Sequence, residues 1–336
     1  MDWSKGFSSS YYVTAVDRET WRDIEGFRIT GGSIKREAGS LMQSADIGCG
    51  DHSIDSETLI RVWLEASQNG ASSRTALFTG YATSPGRDIN GSEISHTLEC
   101  YSILKPASDV LLPRGWYAPV GMNVIMQARE LLKVTKAPIT VDGEYEPYLL
   151  NQAVIAEQNE TNLTMAELLL ESVGWRIVID GRGQITLCPK PAESEIVFDA
   201  LTNDIVEPKI KDEYDWYGCP NCIRVVKDET SAEWKDEYPE SIYSVPRRGR
   251  EVWIEETNVT LNDNETLAEY ARRRLSELQL VGRKVSYDRA FRPDLLPGDI
   301  IRLNYPAQGL VGAFEIQSQN ITLGSGARMS EEVVQI

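Results

Sequence analysis

The sequence predicts an α+β, β-dominated fold: two β-barrel domains of similar design at the ends of the chain, a small mixed α/β domain between them, and an inserted helical segment. Three observations predict it. A strand pair with an arginine inside an apolar strand occurs twice, as ETLIRVWLEASQNGASSRTALFTG from Glu57 to Gly80 and DLLPGDIIRLNYPAQGLVGAFEIQ from Asp294 to Gln317. The hydrophobic period changes from two to 3.6 past Pro113 and returns to two near residue 196. A third helical stripe then interrupts the second β-rich stretch, which gives domains at 1–112, 113–195 and 196–336, with the insertion at about 231–281.

From Tyr12 to about Pro113, short β-rich runs are broken by Gly, Ser, Asp and Asn clusters every ten or so residues. Ile60, Val62 and Leu64 alternate with Leu59, Arg61, Trp63 and Glu65, a strand with one apolar and one mixed face. Next, Val124, Ile125, Ala128, Leu131 and Leu132 form one stripe of a helix that Pro138 should end. A second helix is expected from Thr164, whose spacing to Glu167 fits a capping box, to Gly174. WRIVIDGRGQITLCP then reads as a hairpin turning at Asp180 to Gly183. The chain returns to β with NCIRVVK, passes an acidic and aromatic segment, and enters a third helix on Leu267, Ala271, Leu275 and Leu278, with Arg272, Arg273 and Arg274 around its polar side. Overlaying the two arginine-bearing strands puts Ile60 with Ile301, Arg61 with Arg302 and Val62 with Leu303, consistent with two barrels of one design.

Composition narrows the function. The 336 residues carry a net charge of −17, which disfavours adhesion to nucleic acid backbones or anionic lipid. The densest basic run, VPRRGRE at Val245 to Glu251, reads as a loop between strands. No run of 18 apolar residues exists, so membrane insertion is not expected, and the start MDWSKGFSSSYY lacks the regions of a secretory signal, so cytoplasmic folding and free thiols are.

Catalytic chemistry finds little support. Cys219-Pro220-Asn221-Cys222 is a Cys-x-x-Cys, but β-branched strand follows it where a redox site needs a helix N-terminus. Zinc would need more ligands, for which Cys49 with His52 is the best remaining pair, and a turn with semi-buried thiols is the plainer reading. No Gly-x-Ser-x-Gly elbow exists, His96 lies in an alternating strand, and Gly181-Arg182-Gly183 joins two strands, not a strand to a phosphate-binding helix. KDEYDWY at Lys211 to Tyr217 and WKDEYPE at Trp234 to Glu240 combine acids with aromatics, as sugar-cleaving sites do, but solvated loops with aromatic anchors that meet a partner are the plainer reading. No cofactor or metal is expected.

ITGGSIKREAGSLMQSADIGC with LIRVWLEA and RTALFTGYA resembles the first domain of phage tail baseplate hub proteins. NLTMAELLLESVGWRIVIDGRGQITLCPKP resembles their middle domain, and the stretch from LAEYARRRLSEL to ARMSEEV is similar to the closing part of the late control protein D type of hub. The segment between roughly 225 and 262 has no counterpart in the resemblance. The resemblance implies tube-like barrel domains and a homotrimer whose three chains present six modules, joining a six-fold tail tube to a three-fold tip or spike in a virion baseplate assembled in the bacterial host cytoplasm. It also implies partners in the tail tube protein, the distal spike and other baseplate proteins, and a channel for DNA without specific nucleic-acid binding. Mixed strand faces bearing Arg61, Trp63 and Arg302, with Trp216 and Trp234, are the candidate interface residues; a carboxylate-based cell-wall hydrolase of a tail tip is the alternative function.

Overall fold

A computed structural model describes the chain except residues 1, 4, 40, 51–53, 55, 92, 192–195, 200–205, 228–229, 258, 260–264, 281 and 325–326. Six strands come first: β1 (Ser8–Val16), β2 (Asp23–Glu37), β3 (Gln43–Cys49), β4 (Thr58–Gln68), β5 (Ala71–Asn90) and β6 (Glu93–Ser102). Their antiparallel pairings run β1-β4-β5-β6-β3-β2 and return from β2 to β1, so every strand has two neighbours and no edge is left open. The alternation in β4 sets the two sides. Ile60, Val62 and Leu64 enter the core with Val13, Ile34, Ile47, Phe78 and Leu98, while Leu59 turns outward, joining Tyr81 against the next domain. A bulge interrupts β5 against β4, where Ala76 and Phe78 face Trp63 and Val62 and leave Leu77 unpaired.

The middle domain holds α1 (Lys105–Asp109), β7 (Tyr117–Ala118), α2 (Val124–Leu132), β8 (Ile139–Val141), β9 (Val154–Ile155), α3 (Asn162–Glu171), β10 (Trp175–Ile179) and β11 (Ile185–Pro189). The expected stripe of α2 is buried, and the Asn123 side chain caps the helix by accepting from Met126 N at 2.9 Å. It ends earlier than Pro138 requires, because a 3-10 turn at Lys133–Thr135 leads to a left-handed Lys136. The capping box of α3 also sits earlier than expected: Thr161 is the cap, its hydroxyl accepting from Thr164 N at 3.2 Å while Thr164 Oγ1 accepts from Thr161 N at 2.9 Å. Starting there brings Leu163 into the helix and under cover, which a start at Thr164 would forfeit. The hairpin forms in the expected register, Ile177 opposite Leu187, and β8 adds to it in parallel.

The rest comprises β12 (Val197–Asp199), β13 (Val206–Tyr214), β14 (Cys222–Lys227), β15 (Thr230–Lys235), α4 (Val245–Arg248), β16 (Trp253–Thr257), α5 (Leu267–Leu280), β17 (Arg283–Arg289), β18 (Ile300–Tyr305), β19 (Leu310–Thr322) and β20 (Met329–Gln335). Six of these strands lie in the order β12-β18-β19-β20-β17-β13, and among the described residues the two end strands do not pair with each other. β19 also pairs with β2, Ser318 to Thr322 against Glu37 to Ser33, so both six-stranded arrays belong to one twelve-stranded sheet. The fold is β-dominated α+β with few helices. NCIRVVK, expected in the second array, instead forms the centre of a separate sheet, β15-β14-β16. Its apolar face, Ile223 and Val225, is covered by Ala271 and Leu275 of α5, which gives the inserted unit a core of its own beginning before residue 231.

Candidate functional site

The two arginine-bearing strands do form two hairpins, β4–β5 and β18–β19, but their arginines have different surroundings. Arg61 is buried where the first array meets the β10–β11 turn. Its Nη1 donates to Asp23 Oδ1 at 2.7 Å, Nε to Thr79 Oγ1 at 3.0 Å and Nη2 to the Arg182 carbonyl at 3.1 Å. Thr79 Oγ1 donates in turn to the Gly181 carbonyl at 2.8 Å. Burial pulls the Arg61 pKa below the ordinary guanidinium value, against the opposing pull of Asp23. Trp63 is buried too: Nε1 donates to Thr14 Oγ1 at 3.1 Å and Arg74 stacks on its ring at 3.8 Å. The mixed face of β4 therefore meets this chain's own middle domain, and Arg61 and Trp63, expected as interface residues, are already covered within the chain. Arg302 is exposed in its strand, opposite Ala313 and beside Val197.

A feature that the sequence does not disclose lies where the two arrays join. Tyr287, Glu331, Gln319, Arg36 and Gln43 are successive cross-strand partners on β17, β20, β19, β2 and β3, and all five are buried. Glu331 and Arg289 form an ion pair with both side chains 0% exposed, Arg289 Nε lying 2.7 Å from Oε2, and Gln319 Nε2 donates to Glu331 Oε1 at 2.7 Å. Burial and the Glu331 carboxylate raise the Tyr287 pKa well above the ordinary phenol. Single alternating charges in strands look like exposed positions, and only the pairing of distant strands brings these together.

Two exposed surfaces could meet other molecules. Along the β7–β9 ribbon, Tyr117 (61% exposed) faces Ile155 (71%), with Leu111, Val120 and Leu149 also exposed nearby in the same domain. On the inserted unit, Trp216 (63%) and Tyr217 protrude from a loop whose carbonyls are held by the run read as VPRRGRE. There Arg248 donates to the Trp216 and Cys219 carbonyls and Arg250 Nη2 to the Tyr217 carbonyl at 3.1 Å, so the densest basic run is one helical turn and a left-handed Gly249 tying down a neighbouring loop. Trp234 is part-exposed, with Arg272 of α5 over its ring at 5.6 Å.

Cys219 and Cys222 are both buried thiols. Burial pushes the Cys219 pKa up to about 12, and Cys222 and Cys49 are raised for the same reason. Among the described residues no group of three or more His, Cys, Asp and Glu side chains could hold a metal, and no helix is long and apolar enough to cross a membrane. Cys49 lies opposite His96 across β3 and β6; His52 falls outside the described residues. Asp212 pairs with Arg283 at 3.0 Å, Asp215 accepts from the Tyr217 and Gly218 amides, and Asp236 accepts from Ser241 Oγ and Gln279 Nε2. Asp215 and Asp236 thus brace their own loops, Asp236 also binds α5, and Asp212 ties β13 to β17.

The closed six-stranded array, the α/β middle domain and the second array continuous with the first are arranged as in solved structures of phage tail proteins. No protein-family model and no curated protein matches the sequence. Among solved structures, the chain is similar to the tail protein from Neisseria meningitidis MC58, with TM-score 0.69 and 15% identity over 98% of this chain and 97% of that one. It is similar to the 43 kDa tail protein of prophage MuSo2 from Shewanella oneidensis, with TM-score 0.68 and 14% identity over 98% of both chains. Prophage tail protein gp18 from Listeria monocytogenes EGD-e matches at TM-score 0.56 and 13% identity over 97% of this chain and 94% of that one. At these identities the likeness is one of fold.

Proposed function

We propose that the protein is a structural baseplate hub of a phage or phage-derived tail, a homotrimer joining the six-fold tail tube to a three-fold tip or spike and leaving a channel for DNA. The observation that carries this reading is the fusion of two six-stranded arrays into one sheet through β2 and β19, since three such chains offer six arrays around an axis. The exposed apolar ribbon of Tyr117 and Ile155 suits a contact between subunits, and Trp216, Trp234 and Arg302 suit contacts with tube, spike or other baseplate proteins. The engagement of Asp212 with Arg283 of β17, and of Asp215 and Asp236 with groups of their own loops, favours a structural role over the cell-wall hydrolase.

The test is assembly. The purified chain, alone and with tail tube and spike proteins, is examined by native mass and by negative-stain imaging. Three-subunit rings, weakened by Tyr117→Ser with Ile155→Ser, are the expected result. A chain that stays monomeric with both partners present, or that clears cell-wall substrate, overturns the reading.

A further inference from the structure

The three domains converge on a cavity of about 240 Å³ lined by Arg36 of β2, Arg74 and Ala76 of β5, Asp180 and Arg182 of the β10–β11 turn, and Phe291 before β18. Arg36 is 3% exposed, and its Nη2 donates to the carbonyl of the bulged Leu77 at 2.6 Å. Its Nε and Nη1 are buried without any hydrogen-bond partner. No described carboxylate forms an ion pair with Arg36; Asp180 acts on it only through space, and Arg289 adds like charge. Burial pulls the Arg36 pKa down to about 10, which still leaves it a cation at neutral pH.

The surroundings do not balance that charge. Asp23 is shared between Arg61 at 2.7 Å and Arg74 at 3.3 Å. Asp180 Oδ1 already accepts from the Arg182 and Gln184 amides. Among the residues that line the cavity, Arg36, Arg74 and Arg182 stand against Asp180 alone, a cationic spot in a chain whose net charge is −17. A buried guanidinium without a counter-charge is unfavourable, and an anion bound beside it would relieve that cost. At about 30 Å³ per water the cavity could hold on the order of eight waters, enough room for a tetrahedral oxyanion and part of its shell.

We infer that this cavity is a binding site for a small tetrahedral oxyanion, phosphate in chemical class, held by the guanidinium groups of Arg36 and Arg182, and tying the three domains together. Guanidinium nitrogens present forked donors that match such an oxyanion. The inference is independent of the hub reading, because it concerns one chain.

The test titrates inorganic phosphate into the full chain at constant ionic strength, with chloride as the control, by calorimetry and by thermal midpoint. Saturable phosphate binding with a midpoint rise that chloride does not give is expected. Arg36→Met should abolish both. Should that variant not fold, Arg182→Gln, at an exposed position, should fold as the parent does and weaken binding at least fivefold. Asp180→Asn, which keeps an acceptor for the turn amides but removes the opposing charge, should tighten binding severalfold. Phosphate and chloride acting alike, parental binding in both arginine variants, or a crystal grown in phosphate that shows only water in the cavity would overturn the inference.

Discussion

Glu331→Gln is the sharpest probe of the junction between the two arrays. The substitution keeps the shape and removes one charge from a pair whose members are both fully buried. Three hydrogen bonds converge on that carboxylate, two from Arg289 and one from Gln319, and a further Arg289 nitrogen donates to the Ala290 carbonyl at 3.0 Å. Water cannot replace the lost charge where neither partner is exposed. Arg289 would remain a buried cation, a situation that typically costs about 3–5 kcal/mol. Against a total stability of about 5–15 kcal/mol, that is enough to shift the unfolding midpoint far. Arg289→Met leaves the carboxylate stranded and should cost about as much. Arg289→Met with Glu331→Leu should recover most of the loss, since neither member of the pair is left as an unmatched charge, less about 1 kcal/mol for the one Gln319 N–H that loses its acceptor while the other keeps the Leu295 carbonyl. Urea unfolding followed by far-UV circular dichroism, with hydrogen exchange of the β17 and β20 amides as a local readout, measures the cycle. Either single change costing under 1 kcal/mol, or a double variant as weak as the two singles added together, would refute the reasoning.

Two further outcomes follow from geometry and burial. At Gly181 an added Cβ would lie 1.9 Å from the Ala76 carbonyl oxygen, so Gly181→Ala must push the hairpin off β5 and weaken the Arg61 contact to the Arg182 carbonyl. A loss of about 1–3 kcal/mol is expected, whereas Gly6→Ala, with nothing within 4 Å, should stay within about 0.5 kcal/mol; equal melting of the two variants would contradict this. The second concerns pH. Cys219 has a folded pKa of about 12 against an unfolded value of about 8.5, so its contribution is complete below that lower value and is lost as pH rises toward the higher one. The urea midpoint should therefore be flat from pH 6 to 8 and fall above about 9, less steeply in Cys219→Ala, and native Cys219 should react with a disulfide reagent at pH 8 far more slowly than the unfolded chain does.

Local pattern was legible where neighbours in sequence are neighbours in space. The α2 stripe, the β10–β11 hairpin and the face of α5 all depend on residues within about fifteen positions of each other. The start of α3 is ambiguous in the sequence because Thr161 and Thr164 offer the same spacing as Thr164 and Glu167, and only the burial of Leu163 decides between them. The sheet to which NCIRVVK belongs is not legible, because β-branched alternation states that a strand exists, not which strand lies beside it; α5, more than forty residues later, settles that by covering Ile223. Arg61 and Arg302 look alike for the same reason, since what differs is the domain packed outside β4.

The buried polar row is best understood as a device for alignment. An apolar row at the same place would be as stable or more so, yet apolar side chains tolerate displacement of one strand along another. A one-residue slip of β19 against β2 and β20 would turn Gln319 away from Glu331 and send Asn320 into the core, stranding the Arg289–Glu331 pair's third hydrogen bond. The penalty falls on misalignment alone. Pairing between β2 and β19 joins segments almost 300 residues apart, and no short turn fixes their register as one does in a hairpin. A protein that must hold two arrays at one fixed offset so that copies can meet around an axis has reason to keep charged and amide groups at that seam. The apolar double variant should therefore regain stability but exchange its β19 amides faster than the parent, a separation of stability from alignment that a purely energetic role for the row would not produce.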